Sequence, residues 1–341
     1  MRVTTVRNVC QALTSGVNLL LSWGEQQDTR NGPAWVAPFP VMTVTQQPTE
    51  RVLFTQWRNA NPFFHLFEAI WMLAGRDDCA TLNAFVKDFG RRYGEEDGTM
   101  HGAYGWRWRS AFQIDQLDYV VERLRKEPDS RQCVLQMWDS SPVSSDLNGG
   151  WKDKPCNTHI YLRINHNSLD LTACCRSNDA IWGAHGANAV HFSILQEYLA
   201  ARIGVNVGYM YQLSNNYHGY LREMDKLIEH ELQDDRYTSG AVAPLVMFDV
   251  PERIDHDVHL FMRCYEDRQI PENTPFANIW FQKVLVWAML AHHTYKMGNI
   301  NAALAVAEQI AASDWRVACV EWLQRRQKAA IHDNKGPGLS Q

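Results

Sequence analysis

The sequence predicts an α+β fold, and three features carry that expectation. Residues 158–164 and 169–175 alternate as strands and are joined by the turn Asn165-His166-Asn167-Ser168. Strongly apolar helical runs flank this hairpin, at residues 188–203 and from Asn61-Pro62 onward. Beyond about residue 250 the pattern is helical only, over 258–266, 276–297 and 301–328. The simplest arrangement is one domain over 1–341, with a core at about 28–250 and a helical C-terminal extension at about 251–330.

Each element has a local reason. Val6, Val9, Leu13, Val17, Leu20 and Leu21 recur at helical spacing, so residues 1–29 read as a helix followed by a polar loop. Residues 33–48 are punctuated by proline and extended, with Val41, Thr43 and Thr45 alternating as on a strand. Pro62 is favoured at the first position of a helix, whose apolar face is Phe64, Leu66, Phe67, Ile70, Trp71 and Leu73. Residues 94–105 form a loop rich in glycine and charge. Residues 114–126 form an amphipathic helix stopped at Pro128-Asp129-Ser130. Residues 132–138 are strand-like, 140–154 a polar loop, and 205–213 a further strand. The tail at 333–341 is expected to be disordered.

Composition narrows the function class. Of 341 residues, 45% are hydrophobic and 21% charged, and the net charge is −5. This is a globular balance without a basic tract, so an anionic substrate would be held by a few focused arginines. The eight cysteines, at 10, 79, 133, 156, 174, 175, 264 and 319, form no C-x-x-C pair. They read as thiols of a reduced, cytoplasmic protein. The N-terminus lacks the apolar region of a signal peptide, and no apolar run approaches a membrane span.

Residues 155–188 hold the chemistry. Cys156 follows Pro155 at the mouth of a strand, where a thiol can face a cleft. Most lone cysteines are inert core residues, but a nearby cation such as Arg176 would make this one a nucleophile. Arg176-Ser177 offers a guanidinium fork and a hydroxyl suited to phosphate, against the plainer reading of an arginine solvated or paired with Asp179. Asn188 opens an apolar helix, as an N-cap, a reader of a pyrimidine edge, or both. Glu68 lies on an apolar helical face, where a carboxylate is costly unless it reaches solvent or moves protons. His256 with His259, and His292 with His293, lack the geometry of a metal site. A Cys156–His159 dyad is disfavoured, because positions three apart on a strand face opposite sides.

The order of these pieces resembles the thymidylate synthase family over about residues 28–221. The motifs are Asp28-Thr29-Arg30-Asn31-Gly32, the helix from His65 to Gly75 with Glu68, Tyr104-Gly105-Trp106-Arg107-Trp108-Arg109, Pro128-Asp129-Ser130-Arg131-Gln132, Pro155-Cys156, Arg176-Ser177-Asn178-Asp179, and Ser214-Asn215-Asn216. The resemblance implies a mixed sheet with packed helices and a homodimer. It also implies attack of Cys156 on C6 of a pyrimidine nucleotide, with C5 then adding the one-carbon unit of the co-substrate 5,10-methylenetetrahydrofolate, without a metal. Arg30, Arg176 and Ser177 would bind the 5′-phosphate, and Arg131 would reach the partner's site. Glu68 and Tyr104 would manage proton transfers, Asp179 would hold the pterin, and Asn188 would read the base.

The departures point to a branch of the family. Asn157 stands where the family has His, and Gln132 where it has a second Arg. The segment from Gly183 to Asn188 is one residue longer. Tyr211 and Leu213 fall at the sugar-binding positions. The C-terminal hundred or so residues do not resemble the family. A site that admits water would yield a 5-hydroxymethyl rather than a methyl product. The expected activity is therefore that of a one-carbon transferase, a deoxyuridylate (dUMP) hydroxymethylase of the kind met in phage DNA modification. The alternatives are a dCMP or CMP hydroxymethylase, a thymidylate synthase, and a non-catalytic nucleotide- or RNA-binding relative.

Overall fold

The chain opens on a strand where a helix is expected. Val3, Thr4, Thr5 and Val6 are β-branched, and the computed structural model, which describes residues 1–141, 146–147, 149–228, 234–267 and 275–334, has Arg2–Val6 as β1. The helix follows as α1 (Val9–Trp23), capped by the Asn8 side chain. The expected polar loop is instead a hairpin, β2 (Glu25–Thr29) and β3 (Gly32–Val36), before β4 (Val41–Thr45). Pro62 starts α2 (Pro62–Leu73), and the Asn61 side chain caps it by accepting from the Phe64 amide.

Short helices α3 (Cys79–Leu82), α4 (Phe89–Tyr93) and α5 (Tyr104–Arg109) lead to α6 (Gln116–Lys126) and β5 (Val134–Gln136). The expected hairpin is β6 (Asn157–Asn165) with β7 (Ser168–Cys175), and β8 (Asn178–Asp179) follows. Then come α7 (Asn188–Ile203), β9 (Asn206–Ser214), β10 (Tyr217–Tyr220) and α8 (Leu221–Ile228).

Two sheets result. One has the order β1-β4-β9-β7-β6-β5, the other β2-β3-β10-β8. The pairs β1–β4, β7–β9 and β8–β10 are parallel and the rest antiparallel, so the α+β expectation holds with a mixed sheet.

The C-terminal region adds α9 (Ile254–Glu266), α10 (Val286–Lys296), α11 (Ile300–Ala307) and α12 (Ser313–Asn334). The helix expected over 301–328 is broken, because Ile310 and Ala312 turn into the core and the Ala311 amide donates to the Lys283 carbonyl at 3.0 Å. These helices share the core with α2 and α7: Trp322 of α12 meets Phe63 of α2 edge-on at 5.5 Å. On α9, Asp255 accepts from Arg109 at 2.6 Å and Tyr198 at 2.9 Å. From residue 335 the tail lies outside the described residues. Among the described residues no helix is long and apolar enough to cross a membrane.

Candidate active site

Two strands change sheets side by side, and the candidate nucleophile sits where they do. After Cys175 the chain leaves β7, passes Arg176-Ser177 and enters β8. After Ser214 it leaves β9, passes Asn215-Asn216 and enters β10. The Asn215 amide donates to the Cys175 carbonyl at 2.9 Å and the Asn178 amide to the Asn216 carbonyl at 2.8 Å, so the crossing is hydrogen-bonded throughout. Against it lies Cys156, whose carbonyl accepts from the Arg176 amide at 2.9 Å. The Arg176 guanidinium then fastens the loop before Cys156, donating from Nε to the Pro155 carbonyl at 3.0 Å and from Nη2 to the Lys154 carbonyl at 3.2 Å.

The rest of that loop is pinned from α5 and its approach. Buried Asp146 meets His101 Nε2 at 2.7 Å and Arg107 Nη1 at 3.2 Å, and the His101 ring stacks on Trp151 at 4.2 Å. Lys152 Nζ donates to the Gly94 carbonyl at 2.8 Å. The described residues of this loop, Asp146, Trp151, Lys152 and Lys154 among them, are thus tied to their surroundings by hydrogen bonds and stacking.

The charges around Cys156 oppose one another. Burial pushes its thiol up from the ordinary range, Arg176 pulls it down, Asp153 pushes it up, and Arg30 pulls it down. Asp153 is itself pushed up to about 6, first by burial, against the pull of Arg107 and Arg176 and with Glu68 and Glu95 adding to the rise. Its carboxylate packs on Gly102, where a Cβ would lie 2.3 Å from Oδ2. The Tyr104 phenol is raised well above its usual range by burial and by the Cys156 thiol, and its oxygen accepts from the Asn157 amide at 3.4 Å. Glu68 Oε2 stands 3.1 Å from His191 Nε2, at an angle that makes no hydrogen bond. Cys156, Glu68 and Tyr104 therefore all lie within electrostatic reach of Asp153.

The second sheet supplies the opposite wall. Arg30 is exposed at the β2–β3 turn, and the neighbouring Asn31 donates to the Tyr220 hydroxyl at 3.1 Å. Asp179 Oδ1 accepts from the Ile181 and Trp182 amides at 2.7 and 2.9 Å; burial raises its pKa, while His218 and Arg58 lie close enough to oppose that rise. Ala180–Ala187 form a π-helical turn, the geometry by which a helix accommodates one extra residue. Asn188 begins α7, buried, with Nδ2 donating to Asn178 Oδ1 at 3.1 Å. Ser177 lies half-buried beside Arg176.

Tyr211, which falls at a sugar-binding position of the family pattern, lies on the half-exposed face of β9. Side chains alternate along β9, with Gln212 and Ser214 buried and Tyr211 and Leu213 half-exposed on the other face. There Tyr211 meets Arg163 and Asp170. His218 and Tyr220, past the sheet change, lie beside Asp179 and Asn31 respectively, and their His-x-Tyr spacing is visible in the sequence. Arg131 is exposed just before β5, and Gln132 accepts from Arg123 at 3.0 Å. His159 lies on the outer sheet face against Tyr161, 4.6 Å between rings, so it is no partner for Cys156. Among the described residues no cluster of His, Cys, Asp and Glu could hold a metal ion.

Comparison with known proteins agrees with this geometry. Residues 15–256 match the thymidylate synthase family model. A deoxyuridylate hydroxymethyltransferase of Pseudomonas phage M6 is 40% identical, over 96% of this chain and 95% of its own. A deoxyuridylate hydroxymethyltransferase of Bacillus phage SP01 is 36% identical over 57% of this chain and 52% of its own. A putative thymidylate synthase of Methanosarcina mazei is 26% identical over 66% of this chain and 92% of its own. With a family match over more than half its length, the chain belongs to the thymidylate synthase family.

Proposed function

We propose that the protein is a folate-dependent dUMP C5-hydroxymethyltransferase. The observation that carries this is the end-to-end likeness to the phage M6 enzyme, which extends past residue 256, where the family match stops, into α9–α12. A role in making a modified phage nucleotide is consistent with the phage relatives.

The residues suit the chemistry. Cys156 attacks C6 of the base, forming an S–C6 bond and placing the electron pair on C5. Arg176 and Arg30, both within electrostatic reach of the sulfur, favour the thiolate and also suit the 5′-phosphate, with Ser177 beside them. The co-substrate 5,10-methylenetetrahydrofolate, when bound, supplies the one-carbon unit that bonds to C5. Asp179 and the half-exposed indole of Trp182 form a carboxylate beside a flat face, which fits a pterin with N–H donors. Tyr104, kept protonated by burial, and Glu68 order the water through which the C5 proton leaves. As that proton leaves, the bond from the transferred carbon to the folate nitrogen breaks and tetrahydrofolate departs; water then adds to the methylene carbon left on the base, the C6–S bond breaks, and 5-hydroxymethyl-dUMP is released. No hydride is transferred, so no dihydrofolate forms.

A second copy is the partner we assign to the outer face of the large sheet. Val134, Tyr161 and Tyr209 are exposed there, and Arg131 stands at its β5 edge, in position to reach a partner's phosphate. The continuous core through α2, α7 and α12 supports reading the chain as one domain.

Incubation with methylenetetrahydrofolate and each of dUMP, dCMP, UMP and CMP, read by mass spectrometry, tests the assignment. 5-Hydroxymethyl-dUMP without dihydrofolate is expected. A methylated product accompanied by dihydrofolate would make the chain a thymidylate synthase instead.

A further inference from the structure

We propose that Asn178 sets which way the Asn188 amide faces and so makes the site choose uracil over cytosine. The inference rests on Asn188 reading the base. Asn178 stands between Ser177 and Asp179, and its side chain is buried on β8. Its Nδ2 donates to Ser214 Oγ at 3.0 Å and towards Cys175 Sγ at 3.5 Å, which leaves Oδ1 as the acceptor for Asn188 Nδ2 at 3.1 Å. The Cys175 thiol is committed as well: it donates to Asn157 Oδ1 at 2.8 Å, so the sulfur offers a lone pair to Asn178. Gly183 keeps the contact clear, since a Cβ there would lie 2.9 Å from Asn178 Oδ1.

In this chain of bonds, Cys175 donates to Asn157, Asn178 donates to Cys175 and Ser214, and Asn188 donates to Asn178, while Asn157 Nδ2 is buried without a hydrogen-bond partner among the described residues. Inverting the Asn188 amide would set its carbonyl oxygen against that of Asn178, losing one buried hydrogen bond and adding repulsion. The amide as held leaves one N–H and its carbonyl for a ligand. Uracil matches that pair with the acceptor O4 and the donor N3–H. Cytosine offers the reverse, an acceptor at N3 and a donor at N4, and would need the inverted amide.

The test compares the wild type with Asn178→Leu, which keeps the size and removes the acceptor, and Asn178→Asp, which keeps an acceptor. Affinities for dUMP and dCMP are measured by calorimetry, and kcat/KM for both with methylenetetrahydrofolate. The dUMP-to-dCMP affinity ratio is expected to fall ~10-fold in Asn178→Leu, the worth of about one buried hydrogen bond. In Asn178→Asp it is expected to stay within about threefold of wild type. A purely structural role would weaken both nucleotides equally, and an unchanged ratio in Asn178→Leu overturns the proposal. Should that variant not fold, Asn178→Ala decides the same ratio. Wild-type protein that binds dUMP selectively but makes no product would count against the hydroxymethyltransferase reading alone, because the binding ratio decides this one.

Discussion

Replacing Asp153 by Asn should stabilise the protein at neutral pH and leave it unchanged in acid. Asp153 is a carboxyl whose ordinary pKa of 3.8 is pushed to about 6, chiefly by burial. None of the described residues hydrogen-bonds it, so an amide of the same shape gives up only the attraction of Arg107 and Arg176, which is smaller than the cost of burial. Between pH 3.8 and about 6 the unfolded chain has released the proton while the folded chain still holds it. Folding therefore loses stability as pH rises through that window, and the loss persists above it. About two pH units at ~1.4 kcal/mol each give an upper bound of about 3 kcal/mol. Partial exposure of the carboxylate reduces this to about 2 kcal/mol. With an unfolding entropy of about 2 cal/mol/K per residue over this length, that is about 3 °C in Tm. Calorimetric melts of wild type and Asp153→Asn at pH 4 and pH 7.5 measure it. The difference should be near zero at the lower pH and a gain of about 3 °C at the higher. Cys156 should also be alkylated faster in the variant at pH 7.5, followed by mass spectrometry of its peptide, because the carboxylate that opposes the thiolate is gone. A Tm difference that does not change with pH, or a variant less stable at pH 7.5, would refute the reasoning.

Cys156→Ser should abolish product formation while leaving dUMP binding and Tm close to wild type; appreciable turnover would rule out the covalent route. Arg131→Ala and Cys156→Ser, each impaired alone, should regain activity when their subunits are exchanged, since one hybrid site then holds both residues; no recovery would place Arg131 outside the partner's site. Trp322→Ala, which empties an α12 position packed on Phe63, should cost about 3–5 kcal/mol and move a single unfolding transition. Two separate transitions, only one of them shifted, would make the C-terminal helices an independent unit.

What the sequence disclosed follows the range of the forces involved. The β6–β7 hairpin and α7 were legible because turn residues and apolar spacing act within a few residues. β1 was not, since its partner in the parallel pair is β4, well beyond local reach. The break in the helix expected over 301–328 was hidden because the Ala311 amide satisfies a carbonyl on a distant segment. Cys156 and Arg176 were legible as motif, yet their proximity was not; it depends on Arg176 fastening the Pro155 and Lys154 carbonyls.

Tyr211 shows the same limit. Counting along β9 gives the face that a side chain takes, but the count does not carry across a strand that changes sheets, and His218 and Tyr220 lie just past that change. The departures from the family pattern repay the same scrutiny. In sequence, Asn157, Asn178 and the extra residue before Asn188 are three unrelated oddities. In the fold, the π-helical turn sets Asn188 against Asn178, and Cys175 joins Asn178 to Asn157. A buried polar network is worth having only when its members fit together, so these departures are best understood as one physical unit, and the identity of the base is where their effect should be felt.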